Sequence, residues 1–207
     1  MTRIVRVMTA RSHRARVRGL GLASVAAIVA VGATATPAVA HVGGPTHGFA
    51  DGALHPIGGP DHLLAMVAVG IVAAILASPL LVPGVFLVAM TAGGALGLAG
   101  VSLPAVELLI VGSVIALGAA IVSALGEQPL AWLVPLLVVA GLAHGNAHGA
   151  EAPAAADPAR YVLGFLVATA ALHAAGVIGG TVARRWAPAR VTVGAAVAAG
   201  GAVLLVG

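Results

Sequence analysis

The chain has 207 residues, 60% of them hydrophobic and only 8% charged, against about 25% charged in an ordinary soluble domain. So little polar surface fits lipid as the solvent, and the local character of the +4 net charge argues against a nucleic-acid partner. Arg3, Arg6, Arg11, Arg14, Arg16 and Arg18 all precede the first apolar stretch, leaving the remainder nearly neutral and without the basic patch that a nucleic-acid surface needs. Cys is absent, which removes disulfides, thiolate metal sites and Cys nucleophiles. Every basic residue is Arg. Without Lys there is no P-loop for ATP and no Schiff-base chemistry.

In chain order, residues 1–18 are Arg-rich and free of acids, and 19–33 are apolar. TATPAVA follows, with Ala38 and Ala40 in A-x-A positions. This is the anatomy of a secretory signal peptide over 1–40, with an uncleaved signal anchor as the alternative. Cleavage after Ala40 starts the mature chain at His41, outside the membrane.

A membrane helix needs about 20 mostly apolar residues. Pro and Gly punctuation divides the remainder into spans at 57–77, 83–101, 104–125, 130–149, 159–183 and 188–206. The predicted fold is an all-α membrane protein, a compact bundle of about six transmembrane helices over 41–207. From an outside start, the 184–190 loop with Arg184, Arg185 and Arg190 falls inside, in line with the positive-inside rule. The 149–159 loop, with Glu151 and Asp157, falls outside. Gly93 and Gly97, Gly141 and Gly145, Gly145 and Gly149, and Gly176 and Gly180 have the spacing of close helix contacts.

The ionisable residues collect at one level. Asp61 and His62 open the first span, Glu107 opens the third, and His144 and His148 close the fourth. Under this topology all lie near the outer face. Such groups are expensive in lipid and mark functional sites. His144, His148 and Glu151 share one helical stripe, and two His at i, i+4 can hold one ion. Glu151 could equally be a surface acid, and Met66 reads as packing. His55 and His62 would be about 10.5 Å apart in a straight helix. They can share an ion only if Pro56-Ile57-Gly58-Gly59-Pro60 bends, and this segment is expected to be unwound. The expected site joins Asp61, His62, His144 and His148, with His55 and Glu107 at its edge. His173 lies deeper, as a relay or a core residue. His41 and His47 are tail residues, with His41 a candidate capture group through its amine and imidazole.

The stretch HPIGGPDHLLAMVAVG, 55–70, resembles the signature of the HupE/UreJ family, hydrogenase and urease accessory membrane proteins regarded as nickel permeases. PAVELL at 104–109, HGNAHGAE at 144–151 and ALHAAG at 171–176 agree in order and spacing. The resemblance covers 41–207 and implies a leader and six helices. It places His55, Asp61 and His62 in the first motif, His144 and His148 in the second, and Glu107 on the third-span acid. A different nickel/cobalt family has four residues between the His and the Asp; here there are five.

Imidazole and carboxylate suit Ni²⁺, Co²⁺, Zn²⁺ and Cu²⁺; nickel itself comes from the resemblance. The expected role is uptake of a transition metal across a bacterial cytoplasmic membrane, with Ni²⁺ as transported substrate, no resident cofactor and no enzymatic activity. The expected partners are the lipid bilayer and a divalent metal ion, with homo-oligomerisation open. Two alternatives stand beside it. A non-transporting metal-binding accessory protein fits the same residues. An intramembrane metalloenzyme lacks both the further His boxes of a di-iron site and an H-E-x-x-H.

Overall fold

The computed structural model describes residues 48–123, 130–152 and 157–206. The signal peptide read over 1–40, together with His41 and His47, lies outside them. Among the described residues every regular element is helical: α1 (Phe49–Gly58), α2 (Pro60–Ile75), α3 (Leu81–Leu98), α4 (Val106–Ser123), α5 (Leu130–Ala150), α6 (Pro158–Ala183) and α7 (Ala187–Val206). The helices α3 to α7 are each long and apolar enough to cross a membrane. The pair α1 and α2 passes the same test jointly but bends by 85° at its break. Among the described residues there are therefore five such helices, or six with the broken pair.

The first span differs from its sequence reading. The chain 56–60 is not unwound throughout: α1 runs through Pro56 to Gly58. Only Gly59 leaves the helical region, at φ −91° and ψ 117°. The cause is local. A residue that precedes proline clashes with the pyrrolidine ring in the α conformation and is pushed to extended backbone. Pro60 then opens α2 as its first residue, where the missing N–H costs nothing.

The centre of the bundle is α2, buried along nearly its whole length from Pro60 to Ala74. It packs against α6, α4, α3 and α7. A helix apolar on all sides suits this place, since it has no face to present to water or lipid. Around it, α3 pairs with α5, α4 with α7, and α1 lies on α6.

Small residues set these pairings. A methyl group on Gly145 of α5 would lie 1.9 Å from the Met90 carbonyl oxygen of α3, and one on Gly97 would lie 2.3 Å from that of Asn146. The α2–α6 contact is the same in kind: a methyl on Gly176 would sit 2.3 Å from the Val67 carbonyl oxygen. Lipid gives apolar helices no hydrophobic reason to associate, so close backbone approach and dispersion take that role.

Candidate metal centre

The N-terminal end of α2, the C-terminal end of α5 and the helix α1 meet at one end of the bundle. Their polar side chains form two groups of three. His55, His148 and Glu151 place one potential ligand atom each within 4.8 Å of one another, and so do Asp61, His62 and His144. We call these the outer and inner triads, since the first contains an exposed residue and the second two fully buried ones.

The outer triad is assembled by the bend at Gly59. His55 Nε2 lies 2.5 Å from His148 Nδ1. The Glu151 carboxylate is 3.7 Å from the first of these atoms and 3.8 Å from the second. Glu151 follows the last residue of α5, so the 144/148/151 stripe carries on past the helix end. Its pKa is raised above the ordinary value, first by burial and then by the charges of Glu107 and Asp61. A cation beside Glu151 would offset this like-charge repulsion.

The inner triad holds the clearest chemical signal. His144 Nδ1 donates to the Ala140 carbonyl oxygen at 2.8 Å. This backbone bond fixes the ring's hydrogen on Nδ1 and leaves the lone pair on Nε2, the arrangement that orients a metal-binding histidine. Among the described residues, buried His144 Nε2 has no hydrogen-bond partner, and neither has His62 Nε2. Each carries the desolvation cost of an unmade bond; an ion would satisfy His144 Nε2 directly, and His62 Nε2 when the His62 hydrogen stands on Nδ1. Asp61 stands in the first turn of α2, where a carboxylate is also favoured by the helix dipole.

The two triads touch. His148 Nε2 lies 2.7 Å from His62 Nδ1. The rings are further enclosed by aromatics. Phe165 lies 5.5 Å from His62 and 5.1 Å from His148 between ring centroids, and Phe86 lies 5.7 Å from His144. An apolar cavity of about 470 Å³ between α3 and α6 reaches His148; Met90, Gly145, Tyr161 and Phe165 are among its walls.

The sequence reading therefore meets a different partition. Asp61, His62 and His144 come together as expected, but His148 joins His55 and Glu151 in a second group. His55 is a full member of that group rather than an edge residue. Glu107 is exposed in the first turn of α4 and belongs to neither triad. His173 is buried against Phe86 at 5.5 Å, and both its ring nitrogens lack a partner among the described residues, as does the hydroxyl of buried Thr169, one turn earlier on α6.

Four contributors were not singled out as site residues from sequence. Glu151 was visible only as a stripe position. Phe86 and Phe165 had no signal beyond being aromatic in an aromatic-poor chain. Asn146 sits between the two His of HGNAH, accepting from Leu103 N at 2.9 Å and donating to the Val101 carbonyl oxygen at 2.7 Å. It ties the segment before Glu107 to α5.

A membrane-type helical bundle with buried His and a half-buried Asp at one end, around unpartnered imidazole nitrogens, is a polytopic protein with a candidate divalent-metal site. The profile of the family described as HupE / UreJ protein matches residues 27–204, and the chain belongs to that family. It is 40% identical over 184 residues to Protein HupE of Rhizobium leguminosarum bv. viciae, covering 84% of this chain and 94% of that one. No solved structure matches it.

Proposed function

We propose that the chain is a permease that takes up a divalent transition metal, Ni²⁺ foremost, across the bacterial cytoplasmic membrane with its metal-binding end outside. The observation that carries this reading is the pair of bare, buried nitrogens, His62 Nε2 and His144 Nε2, grouped with the Asp61 carboxylate. Neutral imidazole and carboxylate are ligands for borderline divalent ions, and the chain offers no thiolate for softer ones. Nickel, and service to hydrogenase or urease maturation, follow from membership of the HupE/UreJ family. The same site would also admit Co²⁺.

The outer triad receives the ion, and the inner triad holds it with less water. Glu107 and Glu151 raise the local cation concentration, and His41, if the chain is cut after Ala40, adds a capture group ahead of them. His173 with Thr169 forms the next polar station on the way through. Influx needs no further energy source. A divalent ion moving down a 100 mV potential gains about 4.6 kcal/mol, equivalent to roughly a thousandfold accumulation.

The test is uptake of radioactive nickel into sealed vesicles, with Co²⁺ and Zn²⁺ as competitors. The Asp61→Ala and His62→Ala variants are expected to show no uptake while remaining folded in the membrane. In His173→Ala, equilibrium binding is expected to survive while flux slows; unchanged flux would return His173 to core packing. A second reading, a metal-binding accessory protein without transport, is favoured by wild-type protein that binds nickel at equilibrium yet gives no accumulation.

A further inference from the structure

The 2.7 Å contact between His148 Nε2 and His62 Nδ1 places a constraint on both triads. A neutral imidazole carries one hydrogen, on one nitrogen, and offers a lone pair on the other. The outer triad uses His148 through Nδ1, the nitrogen beside His55 Nε2 and Glu151. His62 Nδ1 is engaged by His148, which leaves Nε2, buried and without a partner among the described residues, as the nitrogen His62 can offer the inner triad. Each ring therefore faces a triad with one nitrogen and the other ring with its second.

Suppose an ion occupies the outer triad. His148 Nδ1 gives its lone pair to the metal, so the hydrogen is on Nε2 and is donated to His62 Nδ1. His62 Nδ1 must accept, and its own hydrogen stands on Nε2, where it blocks the inner triad. Suppose instead that an ion occupies the inner triad. His62 Nε2 binds the metal, Nδ1 carries the hydrogen and donates to His148 Nε2, and the hydrogen of His148 stands on Nδ1, blocking the outer triad. With both triads filled, two N–H groups would point at each other across a hydrogen-bonding distance. His62 is fully buried and enclosed by Phe165, so it has little room to turn away.

We infer that the two triads exclude one another, so that the chain holds one divalent ion at a time and the His62–His148 hydrogen bond is the interlock. This rests on the metal-permease reading above and adds an occupancy rule to it. An ion at the inner triad closes the outer one to a following ion.

Equilibrium dialysis of the purified full chain against Ni²⁺ at neutral pH tests this. The wild type is expected to bind one ion per chain. In His148→Asn the amide oxygen replaces Nδ1 as an outer ligand atom, with no counterpart of Nε2. In His62→Gln the amide oxygen replaces Nε2 in the inner triad, with no counterpart of Nδ1. Both changes are uncharged, so ion–ion repulsion is unaltered, and both variants are expected to bind two ions per chain. Two ions on the wild type overturn the interlock while leaving the metal sites standing. One ion on the wild type and on both folded variants also overturns it, leaving a single real site or simple repulsion. No ion on the wild type overturns the metal-site reading itself.

A measurement without variants gives the same decision. In nitrogen-15 histidine spectra of wild type saturated with Zn²⁺, His62 and His148 are expected to carry hydrogen on the same nitrogen, both Nδ1 or both Nε2. A mixed pair, Nδ1–H on His62 with Nε2–H on His148, is the doubly filled state and sinks the inference.

Discussion

His144 Nδ1 donates to the Ala140 carbonyl oxygen one turn back on the same helix, and this bond sets His144 in the tautomer that the proposed metal site requires. The neighbouring His148 has no such backbone anchor; its two nitrogens face His55 and His62 instead. Two histidines four residues apart on one helix thus have different duties, one fixed and one adaptable.

That difference leads to the first prediction. His55→Ala removes an outer ligand and leaves Asp61, His62 and His144 intact. Uptake is expected to persist at saturating nickel, with the half-saturating concentration raised at least about tenfold, the low end of what a weakened metal site loses. Asp61→Ala removes the inner carboxylate, the charge that offsets the ion where water is excluded, and no nickel concentration should restore flux. Concentration series in sealed vesicles separate the two patterns. Equal loss of maximal flux in both variants would contradict the division into two triads.

Glu151 sets up a trade between stability and binding. An unfolded glutamate titrates near 4.5, and the folded one titrates higher because of burial and the charges of Glu107 and Asp61. Between these two values the folded chain holds more protons than the unfolded chain. Metal-free stability therefore falls as pH rises through that window, and the loss persists above it. Glu151→Gln is expected to raise the thermal midpoint of metal-free protein at neutral pH and to flatten its dependence on pH above 4.5. The same variant should gain less stabilisation from added Ni²⁺. A lower metal-free midpoint would show that the carboxylate is a favourable partner even without an ion.

Much of the bundle was legible from punctuation. The spans read at 159–183 and 188–206 correspond to Pro158–Ala183 and Ala187–Val206, because proline at each start and arginine between them leave little choice. The helix α1 was not legible. FADGALHPIG is short, contains Pro56 and two glycines, and would not hold as an isolated helix. It forms because it lies flush on α6: a methyl on Gly52 would be 1.9 Å from the Tyr161 carbonyl oxygen, and one on Gly164 would be 2.0 Å from that of Phe49. The choice of ligands was readable for the same reason that their grouping was not. Residue type and depth follow from sequence, whereas pairing of His148 with His55 depends on an 85° bend and on where α1 and α5 meet.

Gly145 stands between the two metal-motif histidines of α5 and against the backbone of α3. A methyl group there would meet the Met90 carbonyl oxygen at 1.9 Å and Gly94 N at 2.8 Å. Neither is the end of a flexible side chain, so α3 and α5 would have to separate. Gly145→Ala is expected to destabilise the bundle by about 1–3 kcal/mol or more, as overpacking does, and to weaken nickel binding by displacing His144 and His148. Gly112→Ala is the matched control, since none of the described residues lies within 4 Å of its missing Cβ. Thermal unfolding in detergent, with nickel titration of the folded fraction, compares the pair. Equal behaviour of the two variants would remove the close α3–α5 contact from the account of the site.

The orientation of the bundle can be decided from its two ends. The helix α2 begins at the inner triad and runs for 16 residues, about 24 Å at 1.5 Å per residue. At its far end Arg184 Nη1 donates to the Ala74 carbonyl oxygen at 3.4 Å, so the arginine cluster and the triads lie on opposite sides of the molecule. Under the proposed orientation the positive-inside rule assigns Arg184, Arg185 and Arg190 to the cytoplasmic side, and both triads would then face outside, where an ion would arrive. The chain has no native Cys, so single replacements report access without background. Ala159→Cys, exposed at the start of α6, and Ala187→Cys, exposed at the start of α7, sit at opposite ends of α6. With an impermeant thiol reagent added to intact cells, the first is expected to label and the second only after permeabilisation. Labelling of Ala187→Cys from outside would invert the bundle, and with it the direction in which the triads could pass an ion.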